Sequence, residues 1–435
     1  MGILSLRTLK FRLSIVNVVQ RETNAVAEER KQPRLERSIS LPLLVAYGVG
    51  TMVGGGFYAL LGRVAHHAGM HAPIAFLVAA GVAGVTAMSF SELSSRLPFS
   101  AGESRYAYEA FGLKWLSILI GWAVIATGVV SAAMLTRAFV GFAQDLADVP
   151  TNVGITLFVV ALSAVAIRGI LQSVWLVTLI TVIEVGGLIW VLAVNASALS
   201  RLSERWGEVT PDATWGTWSG IVMAGFLAFY AFIGFEDMVN EAEEVRNPRR
   251  NLPRGIMYAL VITTVLYLLI VTAAVLAFPL EQLARSRTPL ALLVSGHGEN
   301  ARLSMIYISL LAGVNGALVQ LVMASRVAYG MSDQGLGPRV LGVVHAKFKT
   351  PVCATLLMGG FILVFALWLP LEALARVASG ITLISFTMVN ASLVRLKIKT
   401  PDVPEEVTRY PLWAPILGCS LCLLFLMLQF LAAPT

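Results

Sequence analysis

The stretch GTMVGGGFYALLG, residues 50–62, places a glycine triplet inside a run otherwise apolar enough to cross a lipid bilayer. Six glycines (Gly48, Gly50, Gly54, Gly55, Gly56 and Gly62) fall between Gly48 and Gly62. Each glycine in a helix interior costs about 1 kcal/mol relative to alanine. Close helix packing accounts for Gly50 and Gly54, which lie four residues apart on one face. It does not account for three consecutive glycines, which point in three directions. The stretch therefore reads as a membrane helix interrupted near Gly54–Gly56. Hydrocarbon tolerates unwound backbone only where it lines a protected cavity, so the break predicts a hollow at mid-depth. The free N–H groups that begin the second half-helix suit a carboxylate, and the free carbonyls that end the first suit a cation.

The rest of the chain fits a membrane setting. Its 435 residues are 57% hydrophobic and 13% charged, with mean hydropathy +0.78, whereas soluble domains carry about 25% charge. A spanning helix needs roughly 20 apolar residues. Runs of that kind lie at about 41–63, 72–95, 115–140, 152–168, 174–196, 218–237, 254–278, 303–330, 352–370, 373–394 and 412–431. The segments between them are read as loops, and none is long enough for a soluble domain.

Most of the 32 Lys and Arg residues fall in the loops on the N-terminal side. The opposite loops hold only Arg63, Arg201, Arg205, Arg285, Arg287 and Arg302. That bias predicts a cytoplasmic N-terminus, and eleven spans put the C-terminus outside. The net charge of +7 is therefore a topology signal and not a nucleic-acid one. Residues 1–38 read as a basic cytoplasmic tail without a cleaved signal peptide. Cys419 and Cys422 form a C-x-x-C inside an apolar run and read as small packing residues.

A second interruption is expected in the sixth span, where Gly234 sits among Phe229, Tyr230, Phe232 and Phe235, just before Glu236 and Asp237. Gly54 lies in the first span of the first five and Gly234 in the first span of the next five. Paired breaks in corresponding spans are the best sequence pointer to a secondary transporter's binding site. The resulting layout is a tail over 1–38, a ten-span core over 39–396 with repeats at about 41–196 and 218–394, and a loop plus eleventh span over 397–435.

Three segments carry a family resemblance. GTMVGGGF resembles the G-x-x-x-G-[ST]-G-[IV]-F pattern of the amino acid–polyamine–organocation (APC) superfamily. FYAFIGFEDMVNEAEEVRNPRRNLPRGI, from Phe229, is similar to the sixth span and following loop of its amino acid permeases. SRVAYGMSDQGLGPRVL, from Ser325, is similar to the end of their eighth span. The resemblance covers residue 38 onward. It implies an all-α, five-plus-five inverted-repeat fold that carries amino acids or polyamines, usually by proton-coupled symport or by exchange.

The same resemblance implies roles for individual residues. The substrate carboxylate would meet backbone N–H groups at Gly54, Gly55 and Gly56, with Met52 nearby. The α-amino group would meet carbonyls near Tyr230 and Ile233, with Tyr230 and Phe232 walling the cavity. Gly55 departs from the pattern, because family members often place Ser or Thr there. One hydroxyl donor is thus lost while the backbone donors remain.

An ionisable side chain at a span centre costs roughly 2.5–3.5 kcal/mol, which makes it a functional candidate. Glu184 has only apolar or hydroxyl-bearing neighbours in SVWLVTLITVIEVGGLIWVLAV. It reads as a protonation site. The alternatives are a partner for the substrate's cationic end, a ligand to a monovalent cation, or a hydrogen-bonded structural glutamate. Several superfamily members resemble this stretch but carry a lysine here, which stands in for a sodium ion. The opposite charge in this chain means that the lysine scheme does not carry over.

Glu236 reads either as a gating acid or as an interfacial partner of Arg246, Arg249 or Arg250. Asp237 is assigned to a solvated or loop-organising acidic face. Thr127 and Asn315 fall at mid-membrane and are candidates for cavity contact. Asn315 has no Ser or Thr beside it, which argues against a sodium site.

These features predict a secondary transporter of an amino acid or related amine in the cell membrane. It is expected to work by alternating access, with H+ as the coupling ion and symport as the mode. An exchanger, or a non-transporting sensor on the same scaffold, is the alternative. The sequence offers no nucleophile–base pair, no zinc ligand set and no phosphate loop, so an enzyme is not expected, nor a cofactor, a metal or an obligate protein partner.

Overall fold

The computed structural model describes residues 37–99, 102–169, 174–333 and 335–432. The tail assigned to residues 1–38 thus lies outside the described residues but for Arg37 and Ser38. Eight helical stretches among them are long and apolar enough to cross a membrane, and Leu41–Val53, Val352–Trp368 and Trp413–Gln429 are shorter apolar helices. The architecture is the all-α polytopic one that the hydropathy pattern dictates.

The first crossing is two helices, α1 (Leu41–Val53) and α2 (Gly55–Ala68), joined at Gly54. A 3-10 turn leads into α3 (Ala72–Arg96). There follow α4 (Gly102–Phe111), α5 (Lys114–Ala143), α6 (Thr151–Arg168) and α7 (Val174–Val194). The second half begins with α8 (Trp215–Tyr230), which unwinds at Ala231–Gly234 and continues as a 3-10 segment, Phe235–Glu241. Then come α9 (Pro248–Ala277), α10 (Glu299–Asp333), α11 (Val352–Trp368), α12 (Leu371–Lys399) and α13 (Trp413–Ala432).

Three segments expected to be loops contain helix. The 95–115 connection holds α4, which buries Tyr106, Ala107 and Ala110 while Arg105 and Glu109 stay on the solvent side. Its charges hide this amphipathic helix from a hydropathy window. The other two connections hold Ala196–Ser200 with Leu202–Val209, and Leu280–Arg285 with Pro289–Val294. Pro279 and Pro289 start the last two helices, where a missing N–H costs nothing.

The two interrupted crossings lie against each other. Thr51 Oγ1 donates to Gly234 O at 3.0 Å and to Gly48 O at 3.0 Å. At the foot of both, Ile39 N donates to Glu244 O at 3.0 Å and Arg246 N donates to Ile39 O at 2.9 Å, a parallel bridge between Ile39 and Val245. Gly234 has φ +130°, and a Cβ there would sit 2.7 Å from Thr51 O. Only glycine fits both demands.

Aromatic rings fill the space behind the breaks. Phe57 stacks on Tyr267 at 3.9 Å, and Phe76 and Phe232 meet Tyr267 edge-on. The backbone of α9 is completed from a neighbour: Pro253 cannot donate to Arg249 O, and Ser95 Oγ of α3 does so at 2.7 Å. That satisfies the carbonyl a helix-interior proline leaves bare.

Candidate functional site

A hollow opens between the two breaks and helices α5 and α10. It exists because both crossings stop being helical at the same depth. Gly54 has φ −45° and ψ −178°, which ends α1 and turns the chain into α2. The first N–H groups of α2 therefore lack intrahelical acceptors, and Gly54 and Gly56 line the cavity. Across from them stand Tyr230 and Ile233, from the end of α8 and its unwound continuation. Small residues let the walls close in: a Cβ on Gly55 would come 3.0 Å from Gly313 Cα, and one on Gly56 would come 2.7 Å from the Tyr230 ring.

Of the residues singled out from sequence, Met52, Gly54, Gly56, Tyr230, Ile233 and Asn315 line this cavity. Gly55 instead faces Gly313 and Leu135, so the triplet supplies helix packing as well as the break. Phe229 and Phe232 do not wall the cavity. Phe229 packs edge-on against Phe386 and Phe425, and Phe232 against Phe76 and Tyr267, because large apolar rings gain more inside the bundle than beside a polar hollow. Gly234 is spent on the close approach to Thr51.

Thr51, Ser131, Gly316 and Gln320 also line the cavity, and sequence reasoning passes over them. A hydroxyl beside the triplet and a serine one helical turn from Thr127 are the available signals. Tyr230 is fixed by its hydroxyl, which donates to Ser131 O at 3.3 Å. Tyr267 carries no sequence signal either. Its hydroxyl lies 2.8 Å from Met52 O and 3.2 Å from Ala231 O, one carbonyl from each break.

Glu184 is fully buried on α7. Asn315 Nδ2 of α10 faces its Oε1 at 3.4 Å, while Oε2 has no partner among the described residues. Tyr58 of α2 donates to the Glu184 carbonyl at 2.8 Å. Asn315 therefore touches both the cavity and the buried carboxyl. One turn earlier on α7, Thr181 abuts Gly50, where a Cβ would come 1.8 Å from its hydroxyl.

Glu236 turns back on the break, and its Oε2 accepts the Gly234 N–H at 2.8 Å. It is buried, at 7% exposed. The assignment of Asp237 to a solvated face is corrected. It is 5% exposed, and Gln320 Nε2 lies 3.5 Å from its Oδ2. The 3-10 winding after Gly234 turns both acids inward, an outcome invisible to an assignment based on charge alone.

Both acids line a second hollow, nearer the end at which α1 begins. Thr127 belongs to this cavity and not to the first. So does Glu103 from α4, whose carboxyl burial pushes up to about 7. Ile233 and Gln320 border both hollows.

A family model described as amino acid permease matches residues 39–435. The chain is 28% identical over 402 residues to a branched-chain amino acid permease of Bacillus subtilis, covering 87% of this chain and 85% of that one. It is 25% identical over 424 residues to a methylthioribose transporter of the same organism, covering 92% and 90%. It is 28% identical over 395 residues to a vacuolar cationic amino acid transporter of Arabidopsis thaliana, covering 85% of this chain and 61% of the relative.

Proposed function

The chain belongs to the amino acid permease family, and from that premise we propose that it carries an amino acid or related amine across the cytoplasmic membrane by alternating access, with H+ as the coupling ion. The N-terminus lies in the cytoplasm on this reading. The observation that carries it is the cavity framed by two unwound crossings, with the N-terminus of α2 on one side and the end of α8 on the other. The bare N–H groups at Gly54 and Gly56 receive the substrate carboxylate. The unwound backbone near Tyr230 and Ile233 receives the α-amino group. The walls between them are a main-chain site, indifferent to the substrate's side chain. The names of the relatives span branched-chain amino acids, methylthioribose and cationic amino acids.

Glu184 holds the coupling proton, and Asn315 relays its state to the cavity. Support comes from a fully buried carboxyl with one orphaned oxygen, one amide away from the substrate hollow. Counterflow of labelled amino acids in proteoliposomes tests transport: substrate exchanged across the bilayer supports it, and binding without exchange points to a sensor. Alkalinisation outside the vesicles that accompanies uptake supports proton symport. Obligatory exchange without proton movement, or strict sodium dependence, rules it out.

A further inference from the structure

The second cavity is not needed to hold the α-carboxylate and α-amine, yet it is built as a binding site. Three carboxylates, those of Glu103, Glu236 and Asp237, line it from α4 and from the segment after the second break. No Lys, Arg or His is among its described lining residues. Three further polar atoms there are buried without a partner among the described residues: Gln320 Oε1, Thr382 Oγ1 and Ser385 Oγ. The side chains that carry them are 7%, 3% and 4% exposed. Buried acceptors left unmatched are costly, and a cluster of acids with no cation is more so. A ligand rich in N–H donors and positive charge matches the whole set. Ammonium brings three donors and guanidinium five.

The position relative to the first cavity fixes how such a ligand reaches it. Ser131 lines the first hollow and Thr127 the second, both on α5. Four residues of helix separate them by about 6 Å along the axis. The five bonds from Cα to Nζ of an extended lysine span about 6 Å. Val124, Met323 and Phe386 give the second cavity apolar walls against which a methylene stem can lie.

We propose that the second cavity receives the cationic end of the substrate's side chain, so that the protein recognises basic amino acids: the α-carbon end sits in the first cavity and the side-chain ammonium or guanidinium lies among Glu103, Glu236, Asp237 and the orphaned oxygens of Gln320, Thr382 and Ser385. This rests on the amino acid reading of the first cavity and adds the substrate class. Glu236 and Asp237 then have a specificity role beside any part in gating.

The test uses the full chain in proteoliposomes and two pairs of competitors matched in shape but not in charge: lysine with norleucine, and arginine with citrulline. The charged member of each pair is expected to compete roughly tenfold or more better than its neutral partner. Asp237→Asn is expected to erase most of that preference by weakening the charged members far more than the neutral ones. Ser385→Ala guards against misfolding, because it removes an oxygen that has no partner among the described residues. It is expected to raise the melting temperature without ligand and to shrink the upward shift given by lysine. Neutral members that compete as well as charged ones overturn the proposal while the amino acid reading stands. An Asp237→Asn variant that weakens both members of a pair alike overturns it in the same way. If none of the four competes, the amino acid reading falls as well.

Discussion

The hydroxyl of Tyr267 lies 2.8 Å from the carbonyl oxygen of Met52, and the same hydroxyl reaches Ala231 O at 3.2 Å. One phenol on α9 thus answers a bare carbonyl in each interrupted crossing. Removing it leaves two buried acceptors unsatisfied, at roughly 1–3 kcal/mol for such a group. Tyr267→Phe keeps the stack on Phe57 and loses only that oxygen. The variant is expected to fold, to melt several degrees lower, and to transport more slowly because one of the tethers between the two breaks is lost. Melting curves and initial uptake rates check both parts, and an unchanged rate would assign Tyr267 to stability alone.

The two central glycines of the breaks differ in a way that substitution can read. Gly234 has φ +130° and no room for a Cβ, which would sit 2.7 Å from Thr51 O. At Gly54 the nearest atom to an added Cβ is 3.8 Å away, and φ is negative. Gly234→Ala is expected to cost several kcal/mol and give little folded protein, since strain and clash add. Gly54→Ala is expected to fold at normal yield and to lose substrate affinity through its methyl at the cavity wall. Fluorescence-detected size exclusion ranks the yields, and the order reverses if the breaks are held otherwise.

The difference between those glycines shows what the sequence could reveal. The triplet at Gly54–Gly56 is visible because hydrophobic periodicity cannot explain it. The number of apolar spans and the fold class follow from run lengths, which the thickness of hydrocarbon enforces on every span. The cavity lining is less legible. Phe232 and Tyr230 are equally aromatic and two residues apart, yet one faces Tyr267 and the other the hollow. Which way each points depends on where the helix ends, since Tyr230 is its last residue and Phe232 lies in the unwound stretch. Tyr267, Gln320 and Thr51 reach the site from the middle of apolar or mixed runs that carry no local mark. Asp237 is one of a run of acids in sequence with no mark that sets it apart, and only the 3-10 turn carries it inside.

Glu184→Gln preserves the shape of the carboxyl and its contact with Asn315 but cannot exchange a proton. Substrate binding, measured by thermal shift, is expected to stay within about threefold of the parent, because Glu184 does not line the cavity. Uptake driven by a pH gradient is expected to collapse while counterflow persists. A variant that still concentrates substrate under a proton gradient would remove Glu184 from the coupling step.

Glu103 makes stability depend on pH. Burial raises its carboxyl from 4.5 to about 7. Between those values the folded state holds a proton that the unfolded chain has released, so stability falls as pH rises across that window and then levels off. The loss is a few kcal/mol at most, at about 1.4 kcal/mol for each tenfold change in proton affinity. Glu103→Gln is expected to make the melting profile less steep between about pH 4.5 and pH 7 and to melt higher than the parent at alkaline pH without ligand. A parallel pair of profiles would mean that a cation already compensates the carboxylate.

Glu92 is the strongest candidate for a purely structural charge. It is fully buried at the end of α3. Its Oε1 accepts from Arg96 at 2.7 and 3.0 Å, and its Oε2 accepts from Lys397 Nζ of α12 at 2.7 Å and from Tyr410 N at 2.8 Å. Both oxygens are thus doubly engaged, and the carboxylate ties α3 to the end of α12 and to the connection that leads into α13. Removing one member of a buried pair strands the other charge, at roughly 3–5 kcal/mol. Glu92→Gln is therefore expected to lower the melting temperature more than Lys397→Met, since it strands two cations where the latter strands none. The double variant Glu92→Gln with Lys397→Met is expected to recover part of the loss, a coupling that a double-mutant cycle reads directly. Additive losses would show that Arg96 alone balances Glu92. Substrate affinity is expected to be unchanged in all three, because the cluster lies outside both cavities.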